Sequence, residues 1–172
     1  VNAALDDLNH YADKTIYNFT EMTRNIGTFT AAGVKLGTSV SSIKGIANLA
    51  AVSGSNSQQA STAMYQLSQA IAAGTVKLMD WNSVVNAGMG GELFKNALYD
   101  TADAIGVNRD ETKSFRDSLQ DGWLTSEVLL ETLKKFSTNE SMIDAATKVK
   151  TFSQLIDTTK EAIGSGWSET WE

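Results

Sequence analysis

The chain contains no cysteine, no proline and a single histidine, His10. Without cysteine there are no disulfides, no thiol nucleophile and no thiolate metal site. One histidine cannot build an imidazole-rich metal cluster. The lack of proline favours uninterrupted helix, because proline removes a helical hydrogen bond and clashes with the preceding turn. Positive charge is also scarce. Fourteen Lys and Arg against 20 Asp and Glu leave a formal net charge of −6, which argues against nucleic acid or an anionic membrane as an electrostatic partner. The lysines at Lys134–Lys135 and at Lys148 and Lys150 stand among acids and make no basic patch. No apolar run approaches the roughly 18 residues of a membrane span. The nearest, Ile46–Val52, is interrupted by Asn48. The opening VNAALDDLNHY is acidic and lacks the basic stretch and apolar core of a secretory leader.

What is present suits a helical protein. An apolar fraction of 42% is enough for a core, while a charged fraction of 20% leaves Ser, Thr and Gln to supply much of the polarity. At 172 residues the chain is long enough for one domain or two small ones. It is expected to be a single helical module, with a soft boundary near 106–108, where charge density rises. The first part, 1–106, reads as core helices and 107–172 as charged helices. Because the chain starts on valine and ends on SETWE in mid-pattern, it reads as a piece excised from a larger protein.

Apolar residues recur at spacings of three and four almost everywhere, and strand alternation is almost nowhere. The spacing predicts an acidic helix over 2–13, then one from Asn18 as cap with Glu21 three residues on, ending at Ala31–Gly33. A third runs over 39–52 with Val40, Ile43, Ala47 and Ala50 on one face and Gly54 as its stop. Ser57 is read as the cap of a helix with the stripe Ala60, Ala63, Met64, Leu67, Ala70 and Ile71, stopped by Gly74. Asp80 is read as the cap of Trp81–Ala87. After the turn Ala87–Gly91 a helix carries Leu93, Phe94, Ala97, Leu98, Ala102 and Ile105 and closes at Gly106. An exposed helix is expected over 109–120, and Thr125 is expected to cap a leucine-rich one with Val128, Leu129, Leu133 and Phe136. From Met142 the pattern is heptad: Met142, Val149, Ile156 and Ile163 fall seven apart, with Ala145, Phe152 and Thr159 at the second seam position. Such a seam serves either a coiled coil or one long helix packed on its predecessor. The expected fold is all-α, a bundle of short and medium helices joined by Gly-containing turns and ending in the longer heptad helix.

No arrangement of residues reads as chemistry. Gly88, Gly90 and Gly91 precede a helix start, but no Lys-Ser/Thr pair follows and Glu92 stands where a phosphate would sit, so a tight turn is expected. Asp100–Glu111 has the length of a calcium loop, yet Ala102, Ala104 and Ile105 occupy positions that need ligands or glycine. Asp6–Asp7, Asp110–Glu111 and Glu127–Glu131 lack aromatic sugar platforms and read as solvated faces rather than an acid–base couple. His10 has no serine or cysteine nucleophile to serve and reads as a surface residue. Trp81 with Met64, Met79 and Met89 reads as core filler in preference to an adaptable recognition patch. Trp167 and Trp171 are expected to be covered by a partner or by further chain. No catalytic, metal or cofactor site is expected.

The run AMYQLSQAIAAGTVKLMDWNSVVNAGMGGELFKNAL (Ala63–Leu98) resembles a recurring block of the tail tape-measure proteins of long-tailed bacteriophages and Gram-positive prophages. FTAAGVKLGTSVSSIKGIANLAAVSGSNS (Phe29–Ser57) is similar to that family's lead-in, and LTSEVLLETLKKF and TKVKTFSQLIDTTKEAIGSGWSETWE to its continuation. The resemblance implies a largely helical structural protein in the lumen of the growing tail, made in the host cytoplasm and carried in the virion. It implies a role in setting tail length and release at DNA ejection, with the tail tube protein, tail assembly chaperones and further copies of itself as partners. Neither direct nucleic-acid binding nor a membrane span is implied for this segment. Against it stand two readings: a peptidoglycan-acting module, and an adaptor or oligomerisation domain unrelated to phage that uses the Met142–Ile163 seam.

Overall fold

The computed structural model describes residues 2–15, 17 and 19–148. It is all-α: α1 (Asn2–Lys14), α2 (Phe19–Ala31), α3 (Leu36–Ser53), α4 (Ser57–Ala73), α5 (Leu78–Asn86), α6 (Glu92–Ala104), the short α7 (Phe115–Ser118) running into a 3-10 turn (Leu119–Asp121), and α8 (Ser126–Thr138). A further helix, α9, covers 140–148. Among the described residues the β-structure is an isolated antiparallel bridge between Thr75 and Thr125.

The bundle is assembled around α3. Its expected stripe of Val40, Ile43, Ala47 and Ala50 is buried, but so are Ile46 and Leu49 on other faces, together with Ser39, Ser42 and Asn48. A helix that is apolar all round belongs inside, and here α1, α2, α4 and α8 all pack on it. The polar residues fit because their groups are satisfied locally. Ser39 and Ser42 donate to carbonyls one turn back, at Lys35 (2.9 Å) and Thr38 (2.7 Å). Asn48 accepts from the Tyr11 hydroxyl and donates to the Phe136 carbonyl (2.9 Å), so one amide ties α1, α3 and α8 together. Burial pushes the Tyr11 hydroxyl above its ordinary pKa, and neighbouring Tyr17 adds to the rise. At Gly45 the axis of α8 comes so close that a Cβ would overlap the Leu133 carbonyl. Glycine is what permits that crossing.

Local signals set the helix ends. Gly54 and Gly74 stop α3 and α4 in the left-handed conformation (φ 79° and 98°), which costs a residue with Cβ about 1 kcal/mol or more. Several expected boundaries move. Helix α3 begins at Leu36, before Ser39. The cap of α4 is Asn56, not Ser57: its side chain accepts from Gln59 N (2.8 Å) and Gln59 returns the bond to Asn56 N (2.9 Å). Helix α5 begins at Leu78, so Asp80 stands inside the first turn, where it accepts from Lys77 N (3.0 Å) and from Gln66 Nε2 (2.9 Å). The expected helix over 109–120 is largely loop, with only Phe115–Ser118 α-helical before the 3-10 turn. Of the apolar residues expected on α6, Phe94, Leu98 and Ala102 are buried, whereas Leu93 is exposed, as is Ile105 just past its end. Thr125 does cap α8, accepting from Val128 N. The proposed Asn18 cap lies outside the described residues.

Candidate interaction surface

The residues that looked most like a recognition patch are divided between core and surface. Trp81, Met64 and Met89 are buried, whereas Met79 is 70% exposed. Trp81 packs on Phe115 (ring centroids 4.4 Å) and Phe94 (5.5 Å), and Phe94 reaches Phe136 (5.8 Å). Trp123 meets Phe115 edge-on and stacks on Tyr99, and its indole N–H donates to Ser118 Oγ (2.8 Å). Arg109 lies 4.0 Å over the Tyr99 ring and pairs with Asp103 (3.2 Å). This aromatic block ties together α5, α6 and α7, the approach to α8 at Trp123 and the last turn of α8 at Phe136.

The acids occupy structural positions. Asp7 pairs with Lys44 (3.0 Å), and Arg109 draws in Glu111 as well as Asp103. Asp110 accepts from the side chain and backbone of Thr112, which holds its carboxyl below the usual value. Lys113 is held above its usual value, first by its bond to Asp121 (2.9 Å). Glu127 and Glu131 are exposed on α8, and His10 is exposed on α1. Among the described residues no group of three His, Cys, Asp or Glu stands close enough to hold a metal ion.

Of the heptad seam, Met142 is buried in the chain's own core, Ala145 is half-buried and Ala146 is fully buried. Val149, Phe152, Ile156, Thr159 and Ile163 lie outside the described residues, as do Trp167 and Trp171. The chain's family model match is to the tape measure protein family, over residues 1–170. The chain belongs to that family. No curated protein and no solved structure matches it. The sequence resemblance and the all-α bundle therefore agree on a structural component of a phage tail. In the described residues of this tape measure chain no helix is long and apolar enough to cross a membrane.

The feature that sequence reading missed is a groove of about 410 Å³ between the α4–α5 connection and α7. Thr75, Lys77 and Leu78 form one side, and Arg116, Leu119 and Gly122 the other. Leu119 is buried in its floor, while Leu78 is 44% exposed on its rim beside Met79. Neither Lys77 nor Arg116 makes an ion pair with any described residue. The only available sequence signal was KLMD, an apolar pair between a cation and a helix-start acid. Met79 reads from the sequence as core filler, because an apolar residue at a helix start has no face until the helix boundary is known.

Proposed function

We propose that this segment is a non-catalytic, folded module of a longer tape-measure protein. The whole protein sets tail length while the tail tube protein polymerises around it, with tail assembly chaperones and self-association in the full-length protein, and leaves the lumen at DNA ejection. The observation that carries the reading is the family match over residues 1–170, joined to a fold whose exposed acids serve ion pairs and helix faces. Tail length follows the contour of the ruler, so the state of each segment matters. Drawn out as continuous helix at about 1.5 Å per residue, 172 residues would span about 260 Å. Packed as a globule of radius of gyration about 16 Å they contribute roughly 40 Å. The module reading takes the second value and leaves most of the ruler to the remaining chain.

An in-frame deletion of this segment from the phage gene, with tail length measured by electron microscopy, tests the reading. Shortening by a few tens of ångströms is expected. Shortening near 260 Å would mean that the segment is drawn out in the tail, and normal-length tails would remove it from the ruler altogether. The purified chain is expected to leave cell walls intact in a zymogram, and clearing would overturn the non-catalytic reading.

A further inference from the structure

We propose that the groove between the α4–α5 connection and α7 docks an extended acidic segment of a partner protein, pairing with the backbone of Thr75 and placing a carboxylate between Lys77 and Arg116. Three observations converge on it. The first is the bridge itself. Gly74 O accepts from Ser126 N (3.0 Å) and Val76 N donates to Leu124 O (2.9 Å). Successive residues of an extended chain turn their hydrogen-bonding groups to opposite sides, so the N–H and C=O of Thr75 point away from Thr125. Neither makes a backbone hydrogen bond with any described residue. That is a one-residue sheet edge, open to strand addition, and Thr75 lines the groove.

The second is charge. On a chain of net −6, two cations without ion-pair partners line one groove, against the single acid Asp117. Two cations suit one or two carboxylates and are too few for a phosphate polymer, whose binding grows with every phosphate neutralised. The third is the apolar floor and rim, Leu119 and Leu78, beside the cations. An extended segment turns residues i and i+2 to the same face, so an acidic residue two positions from an apolar one presents both to the groove. The remaining wall, Gln120 and Gly122, adds no charge.

The probe is an acetylated, amidated peptide with Glu and Leu two positions apart and Ser between them, titrated into the isotope-labelled 172-residue chain and followed by amide NMR. Shifts at Thr75, Lys77 and Gly122 are expected. A matched peptide with Gln for Glu should bind roughly tenfold more weakly, the scale of losing a paired charge at an interface. The double variant Lys77→Glu/Arg116→Glu should lose the Glu peptide and gain the equivalent Lys–Leu peptide, with unchanged thermal unfolding because both side chains are exposed. Should that variant unfold, the peptide series on the native chain still decides. Equal binding of the Gln peptide, an unmoved Thr75 amide, or no shift at millimolar peptide would each overturn the proposal. So would groove shifts that appear on concentrating the chain alone, which would make a second copy the occupant.

Discussion

Helix α3 and the α4–α5 connection carry similar mixtures of apolar and polar residues and use them in opposite ways. In α3 the polar groups go inside and are satisfied there: Ser39 and Ser42 by their own helix, Asn48 by Tyr11 and Phe136. Where α4 passes into α5, Val76 goes inside, but Leu78 and Met79 at the start of α5 stay in solvent with the unpaired cations Lys77 and Arg116 beside them. The difference shows that polar residues enter the centre of this fold at sites that supply their hydrogen bonds, as on α3. A polar side chain with a fixed partner costs the core little. An apolar side chain at an edge remains exposed when nothing packs over it.

The sharpest way to break that contrast is at Gly45. Gly45→Val would drive a side chain into the Leu133 carbonyl, and a loss of about 3 kcal/mol or more is expected in urea unfolding. A loss below 1 kcal/mol would mean that the two helices separate freely and α3 is not a rigid axis. Next in size, Asn48→Leu keeps the volume but leaves the Tyr11 hydroxyl and the Phe136 carbonyl without their partner. About 2 kcal/mol should be lost, and a variant as stable as the parent would show that the amide is dispensable. Alkaline pH tests the same network. Burial raises the Tyr11 and Tyr17 pKa values above the ordinary 10.0, so the folded state holds the proton that the unfolded chain releases. Stability is intact below pH 10 and falls as the pH climbs past it, by about 1.4 kcal/mol per pH unit for each tyrosine. Stability melts paired with tyrosinate absorbance would check this, and tyrosines that titrate freely in the folded chain would refute it. At the edge the effect should nearly vanish: Met79→Ser is expected to change stability by less than about 0.5 kcal/mol. A larger loss would mean that Met79 is covered in solution.

Much of the fold was legible because helices advertise themselves locally. The stripe on α4, the stops at Gly54 and Gly74, and the Thr125 cap all follow from spacing and backbone chemistry within one or two turns. The cap of α4 moved by one residue because Asn56 and Ser57 are both good caps, and Gln59 decides between them by returning a bond to Asn56. Three things were out of reach for a physical reason. Serine and asparagine score as polar, so the burial of α3 on several sides depends on partners 37 and 88 residues away. The stretch 109–120 is organised by Phe115, Trp123 and Tyr99 meeting across sequence, not by a helical period. The groove needs two connections, distant in sequence, that the Thr75–Thr125 bridge and the Trp81–Phe115 contact bring together.

The bond from Asn48 to the Phe136 carbonyl joins residues 88 positions apart, and this has a consequence for biosynthesis. At about 5–20 residues per second, roughly 4–18 seconds pass between translation of Asn48 and of Phe136. Over that interval α3 is complete but the flank destined for α8 has no cover. A nascent chain in this condition presents Gly45, Asn48 and the adjoining apolar side chains to whatever protein is at hand, so the same contact that locks the finished bundle also sets the time for which it must be protected.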